Sequence, residues 1–295
     1  MDRAASVTGE ADLKQPASTD SRPIGVFDSG VGGLTVLAAL RAALPQERFV
    51  YLGDTARLPY GTKSAGTVRR YAVQAARVLV ERDVKALVVA CNTASAVALD
   101  ALEAAWPELP VFGVVGPGAI AAAHVARSRV VVLATESTIS GGAYQRALLA
   151  LRPTLTVEGR ACPLFVTLAE EGRRDGAVVA AVVADYLQAF VVPEHSDASA
   201  DAVTLLLGCT HFPILRAAIE AFFSRHARTV QVVDSAATTA RAVQAARDAG
   251  RFAPAPGDAG GPRLVLCATD GADRFRRVGR FFLGDAIEDV ELVDL

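Results

Sequence analysis

Lysine is almost missing from this chain: only Lys14, Lys63 and Lys85 occur among 30 basic residues. Neither Lys63 nor Lys85 lies where a Schiff-base lysine is expected, which disfavours pyridoxal phosphate chemistry. Cysteine is scarce as well. Cys91, Cys162, Cys209 and Cys267 are far apart, and no CxxC pair occurs. That spacing excludes a disulfide framework and a cysteine-based zinc site, and it fits a reducing cytoplasm. His211 lies two residues from Cys209, yet no third ligand stands at metal-binding spacing. No metal and no cofactor are therefore expected. An excess of one charge is also lacking. With 30 basic and 32 acidic residues the net charge is −2, so neither nucleic acid nor an anionic membrane is indicated as a partner. No clean apolar run of about 18 residues exists. Gly116-Pro117-Gly118 interrupts Val111–Ala126, and Asp185 interrupts Val178–Val192. Residues 1–22 carry Asp, Lys, Ser and Pro without an apolar segment. They read as a disordered tail, not as a signal peptide.

What is present is a core. The chain has 295 residues and is 52% hydrophobic, enough for two domains. Two stretches echo one another: Ala86-Leu-Val-Val-Ala-Cys91-Asn92-Thr93 and Thr204-Leu-Leu-Leu-Gly-Cys209-Thr210-His211. Each is a short apolar run that ends in a small residue, a cysteine and a polar cluster. Such a run reads as a buried parallel strand. In an open α/β sheet the residues just past a strand's carboxyl end face the ligand crevice. Both cysteines are placed there, at the same point of two similar units.

Similar strands, each followed by a helix, recur along the chain. Strands are expected at 23–27, 49–52, 85–90, 111–115, 129–134, 157–162, 204–207, 230–233 and 264–267. Helices at 34–44, 67–82, 93–106, 119–127, 142–151, 178–192, 213–223, 238–249 and 274–282 separate them. Alternation of this kind predicts an α/β fold, two doubly wound domains with mostly parallel sheets and a cleft between them. Asp28-Ser-Gly-Val-Gly-Gly33 follows the first strand. It is neither a GxGxxG dinucleotide signature nor a P-loop. Its glycines permit a tight turn, and amides at a helix start attract an anion such as a carboxylate.

Five segments, Phe27-Asp-Ser-Gly-Val-Gly-Gly-Leu34, Tyr51-Leu-Gly-Asp-Thr55, Pro59-Tyr-Gly61, Cys91-Asn-Thr-Ala-Ser95 and Gly208-Cys-Thr-His-Phe-Pro213, stand in that order. In this set the chain resembles the bacterial glutamate racemases of the aspartate/glutamate racemase family, over about residues 23–284. The resemblance implies a cofactor-independent exchange of L- and D-glutamate that supplies peptidoglycan synthesis in the cytoplasm. It implies a homodimer, and a pseudo-symmetric fold with the active site between the domains. The first domain would be 23–115 plus 230–295, and the second 116–229. Cys91 would take the proton from D-glutamate and Cys209 from L-glutamate. Asp28 would assist Cys91, while His211 and Glu170 would assist Cys209. Asp28, Ser29, Pro59, Tyr60, Gly61, Asn92, Thr93, Thr135, Thr138, Thr210 and His211 would hold the substrate. Asp54 is a further acidic candidate.

The chemistry agrees, because racemisation needs a base and an acid on opposite faces of Cα. A thiol serves both roles when a helix start or a neighbouring donor lowers its pKa of about 8.5. Cys162 and Cys267 read as buried apolar residues, and His124, His195 and His226 as structural ones. Thr167 stands where the family often has proline, and the 194–201 loop is long. Two other readings fit the pattern: a racemase for aspartate or a hydantoin, and a non-catalytic amino-acid-binding module.

Overall fold

A computed structural model describes residues 19–191, 203–257, 260, 263–284 and 287–295. The 194–201 loop and most of the expected tail lie outside the described residues. The end of that tail is held in place, however. Asp20 N–H donates to Pro254 O, and Arg22 pairs with Asp20 and Asp83.

The first unit opens with β1 (Ile24–Asp28), α1 (Leu34–Ala43), β2 (Phe49–Gly53), α2 (Ala65–Val80) and β3 (Ala86–Val89). These three strands are buried along their whole length, as continuous apolar runs must be between two helical layers. Two short helices follow, α3 (Asn92–Ser95) and α4 (Leu99–Ala105), and then β4 (Val111–Gly113). The single helix expected over 93–106 is thus broken. Cys91 caps α3, its sulfur accepting from Ala94 N–H at 3.5 Å.

The chain then crosses to the second unit through α5 (Val115–Val125). This helix begins earlier than the expected 119, running through Gly116-Pro117-Gly118. Proline is tolerated there because a first-turn N–H has no helical partner to lose. Next come β5 (Arg129–Ala134), α6 (Glu136–Gly141), α7 (Ala143–Leu151), β6 (Thr156–Ala161), α8 (Pro163–Glu170) and α9 (Ala177–Leu187). The unit continues with β7 (Val203–Gly208), α10 (Arg216–Arg225) and β8 (Val230–Asp234). The chain returns through α11 (Ser235–Asp248), which packs on α1, and finishes with β9 (Leu264–Ala268), α12 (Ala272–Leu283) and β10 (Glu291–Leu292).

Among the described residues every strand pairing is parallel. One sheet has the order β10-β9-β2-β1-β3-β4 and the other β6-β5-β7-β8. The doubly wound two-sheet α/β expectation is met. One boundary moves. The strand at 230–234, expected with the first unit, pairs with β7 in the second sheet, Leu205 opposite Val232. The chain therefore changes lobes between Asp234 and Ser235. Each sheet is covered by an apolar cluster on both faces.

Candidate active site

The strand orders point to a candidate site. In the first sheet β1 is flanked by β2 and β3, so the winding reverses between β1 and β3. In the second sheet β5 is flanked by β6 and β7, so it reverses between β5 and β7. Ligands bind outside the carboxyl ends of strands at such switch points. Asp28, Ser29 and Cys91 follow β1 and β3. Thr135 and Cys209 follow β5 and β7.

The two halves meet. Gly32, in the loop after β1, has no room for a side chain. A Cβ there would fall 2.4 Å from His211 Nδ1 and 2.5 Å from Thr210 Oγ1. Thr35 Oγ1 donates to Thr210 O at 3.0 Å. Thr93 Oγ1, from the first lobe, is 3.1 Å from both Thr135 Oγ1 and Thr138 Oγ1 of the second. A Cβ on Gly61 would lie 2.7 Å from Thr135 Cβ.

On the Cys91 side, Cys91 Sγ lies 3.5 Å from Ser29 Oγ. Asp28 is fully buried, and Gly30 N–H donates to its Oδ2 at 2.9 Å. The amides of Ser29 and Gly33 also face this carboxylate. The glycine-rich loop does cradle an anion, but the anion is its own Asp28. Burial raises the Asp28 pKa, against the opposing pull of His211 and these amides. Burial, then the Asp28 charge, pushes the Cys91 thiol up to about 12. This is opposite to the lowering expected at a helix start. A four-residue α3 is too short to offset desolvation.

The Cys209 side is built differently. His211 Nδ1 is 3.8 Å from Cys209 Sγ, and His211 Nε2 is 3.1 Å from Glu170 Oε1. Burial pulls the imidazolium pKa down, but the bonds to Cys209 and Glu170 prevail and raise it to about 10. Burial would raise the Glu170 carboxyl, yet His211 and Arg274 hold it at about 2. No α-helix starts at Cys209. A 3₁₀ turn over Phe212–Leu215 precedes α10.

Other candidates are engaged elsewhere. Asp54, fully buried, accepts from Arg57 Nε at 2.7 Å, from Thr269 Oγ1 at 3.1 Å and from the Tyr60 hydroxyl. It anchors the Pro59-Tyr60-Gly61 loop. Tyr60 offers backbone there, because its hydroxyl is committed, and Pro59 is exposed. Asn92 Nδ2 donates to Tyr144 OH at 2.7 Å and lies 3.3 Å from Ser235 Oγ. Among the described residues, Oδ1 of Asn92 and Oδ1 of Asp28 are buried without a donor. Cys162 and Cys267 are buried in the strand-and-helix cores, as read.

Arg274, Tyr144, Ser235 and Thr35 touch these candidate residues and were not read from the sequence. Only Ser235, following an apolar run and Asp234, carried the strand-end signal that marked the others.

Residues 34–243 match the family model described as Asp/Glu/Hydantoin racemase. The chain belongs to this racemase family. Among its relatives, a glutamate racemase of Geobacter metallireducens is 47% identical over 93% of this chain and 97% of its own length. One from Chlorobaculum tepidum is 43% identical over 94% and 98%. A solved glutamate racemase of Francisella tularensis in complex with D-glutamate superposes with a TM-score of 0.82, at 35% identity, over 93% of this chain and 98% of that one. The racemase resemblance carried by the five motifs is thereby borne out, and so is the fold. No described helix is long and apolar enough to cross a membrane. Among the described residues no group of three His, Cys, Asp or Glu side chains could hold a metal ion.

Proposed function

We propose that this racemase interconverts L- and D-glutamate without a cofactor, by passing a proton between Cα and two thiols on opposite faces. One observation carries the reading. Cys91 and Cys209 leave equivalent switch points of two sheets, the charge of Cys209 reaches Cys91, and each has its own titratable neighbour.

In the L-to-D direction Cys209, as thiolate beside the His211 imidazolium, takes the Cα proton. Cys91, held as a thiol, delivers its proton to the other face. One C–H bond breaks and one forms, and the thiols finish with exchanged protonation states. The reverse direction uses them in the opposite order. The substrate's α-ammonium group suits the buried acceptors Asp28 Oδ1 and Asn92 Oδ1. Its charge also offsets Asp28 and so eases ionisation of Cys91. The hydroxyls of Thr93, Thr135, Thr138 and Thr210 are neutral donors suited to carboxylates. Because they come from both lobes, substrate binding draws the lobes together. Ser29, beside the Cys91 sulfur, and the Gly61 backbone complete the substrate contacts. A homodimer, a cytoplasmic location and supply of D-glutamate to peptidoglycan belong to the same proposal.

The test is incubation of purified protein with L-glutamate alone. Optical rotation should decay to zero, with neither hydroxylamine nor a chelator slowing it. Rotation that persists, or decays only when pyridoxal phosphate or zinc is added, sinks the reading.

A further inference from the structure

Helix α12 is packed in the first lobe but reaches the second. Phe275, Val278 and Leu283 bury in the cluster behind β1 and β2. From the same helix the Phe282 ring meets the His211 ring edge-on, 5.4 Å between centroids. Phe281 fills the space beside Gly172, 2.6 Å from where a Cβ would stand. Arg274 Nη2 donates to Glu170 Oε2 at 2.8 Å. The carboxylate of Glu170 is thus divided, one oxygen to His211 of its own lobe and one to Arg274 of the other.

We propose that Arg274 is a positioning residue for the Cys209 half of the reaction: from across the cleft it fixes the Glu170 carboxylate that holds His211 against Cys209. Glu170 is the last residue of α8. A guanidinium on the free oxygen orients the carboxylate plane, which a point charge does less well. Because partner and target stand on different lobes, the chain Arg274–Glu170–His211–Cys209 is complete only when the lobes are together. Asp28 is held instead by the amides of its own loop, and the charge that reaches it from the second lobe is that of His211. The effect of Arg274 should therefore fall mainly on the Cys209 side.

This inference rests on the two-thiol racemisation proposed above. Its test uses the full chain with Arg274→Gln and Arg274→Lys. Rates are measured with L- and D-glutamate and with their Cα-deuterated forms. Arg274 is 46% exposed on its side chain, so the loss in kcat/KM should be moderate, about three- to tenfold for Arg274→Gln. It must be equal in both directions, because the enantiomers have equal free energy. The isotope effect should rise with deuterated L-glutamate, whose proton goes to Cys209, and fall towards unity with deuterated D-glutamate. Arg274→Lys should recover part of the rate and of this asymmetry. Adding Arg274→Gln to Glu170→Gln should cost nothing further. An unchanged kcat/KM, or isotope effects that shift alike in both directions, overturns the inference. Racemisation surviving in Cys209→Ala overturns instead the two-thiol reading beneath it, whatever Arg274 does.

Discussion

The two sides of the cleft match in topology and differ in charge. Each thiol follows a parallel strand at the reversal point of its sheet. Cys91 has a buried carboxylate for a neighbour, Cys209 an imidazolium backed by a carboxylate. A negative neighbour keeps a thiol protonated, and a positive one favours the thiolate. In the proposed reaction the two thiols thus work in unlike electrostatic surroundings. Repetition of a fold supplied two similar places, and the local side chains made them unequal.

The strongest way to break the comparison is to remove either sulfur. Cys91→Ala and Cys209→Ala should each cost about a thousandfold or more in racemisation, since in the proposed mechanism each turnover uses both groups. In deuterated water the wild-type product should carry deuterium at Cα while early substrate stays protiated. Product that kept the substrate's own proton would end the two-thiol account. A smaller effect sharpens the asymmetry. Asp28→Asn and His211→Asn should lower kcat/KM by about ten- to a hundredfold. Their deuterium isotope effects should move oppositely, up with D-glutamate for Asp28→Asn and up with L-glutamate for His211→Asn. Parallel movement would mean that neither group serves one thiol. Smaller still is Thr93→Val, which removes the hydroxyl shared between the lobes. A buried hydrogen bond is worth about 1 kcal/mol, so KM should rise about fivefold with less change in kcat. A KM within error of wild type would exclude this hydroxyl from substrate binding.

The least effect concerns stability. Glu170 is held at about 2, below its usual 4.5, so its contribution is full above pH 4.5 and is lost as pH falls towards 2. His211 is raised to about 10 from 6.5, so its contribution is full below pH 6.5 and is lost as pH rises through 10. Thermal melting should then separate wild type from Glu170→Gln most between these limits, by about 3 °C. The gap should narrow towards pH 3 and towards pH 10. A pH-independent gap would show that the pair does not ionise as described.

Much of this was legible in sequence because buried parallel strands are unbroken apolar runs. Ala86–Val89 and Val203–Gly208 announced themselves in that way, and the cysteines after them fell at strand ends. What was hidden depended on partners distant in sequence. The run at 230–233 reads as a strand, but nothing in it says which sheet it joins. Gly32 looked like a turn residue, whereas it is the close approach of one lobe to Thr210 and His211. Arg274 is one of several arginines on α12, and only the fold selects it. Glu291–Leu292 is a two-residue exposed edge strand, too short for a periodic signal.

The pairing of β2 with β9 has a further consequence, for the order of assembly. Phe49–Gly53 finds its partner in Leu264–Ala268, near the opposite end of the chain. The second sheet is drawn from one continuous stretch, β5 to β8. During synthesis that stretch emerges complete while the first sheet still lacks β9 and β10, and domains fold as units when their chain is available. The middle of the polypeptide should become protease-resistant before its beginning, which pulsed proteolysis of stalled chains ending near residue 250 can check. Protection of residues 24–113 in such chains ahead of 129–234 would reverse the order. The lobe translated first is, by this pairing, the lobe finished last.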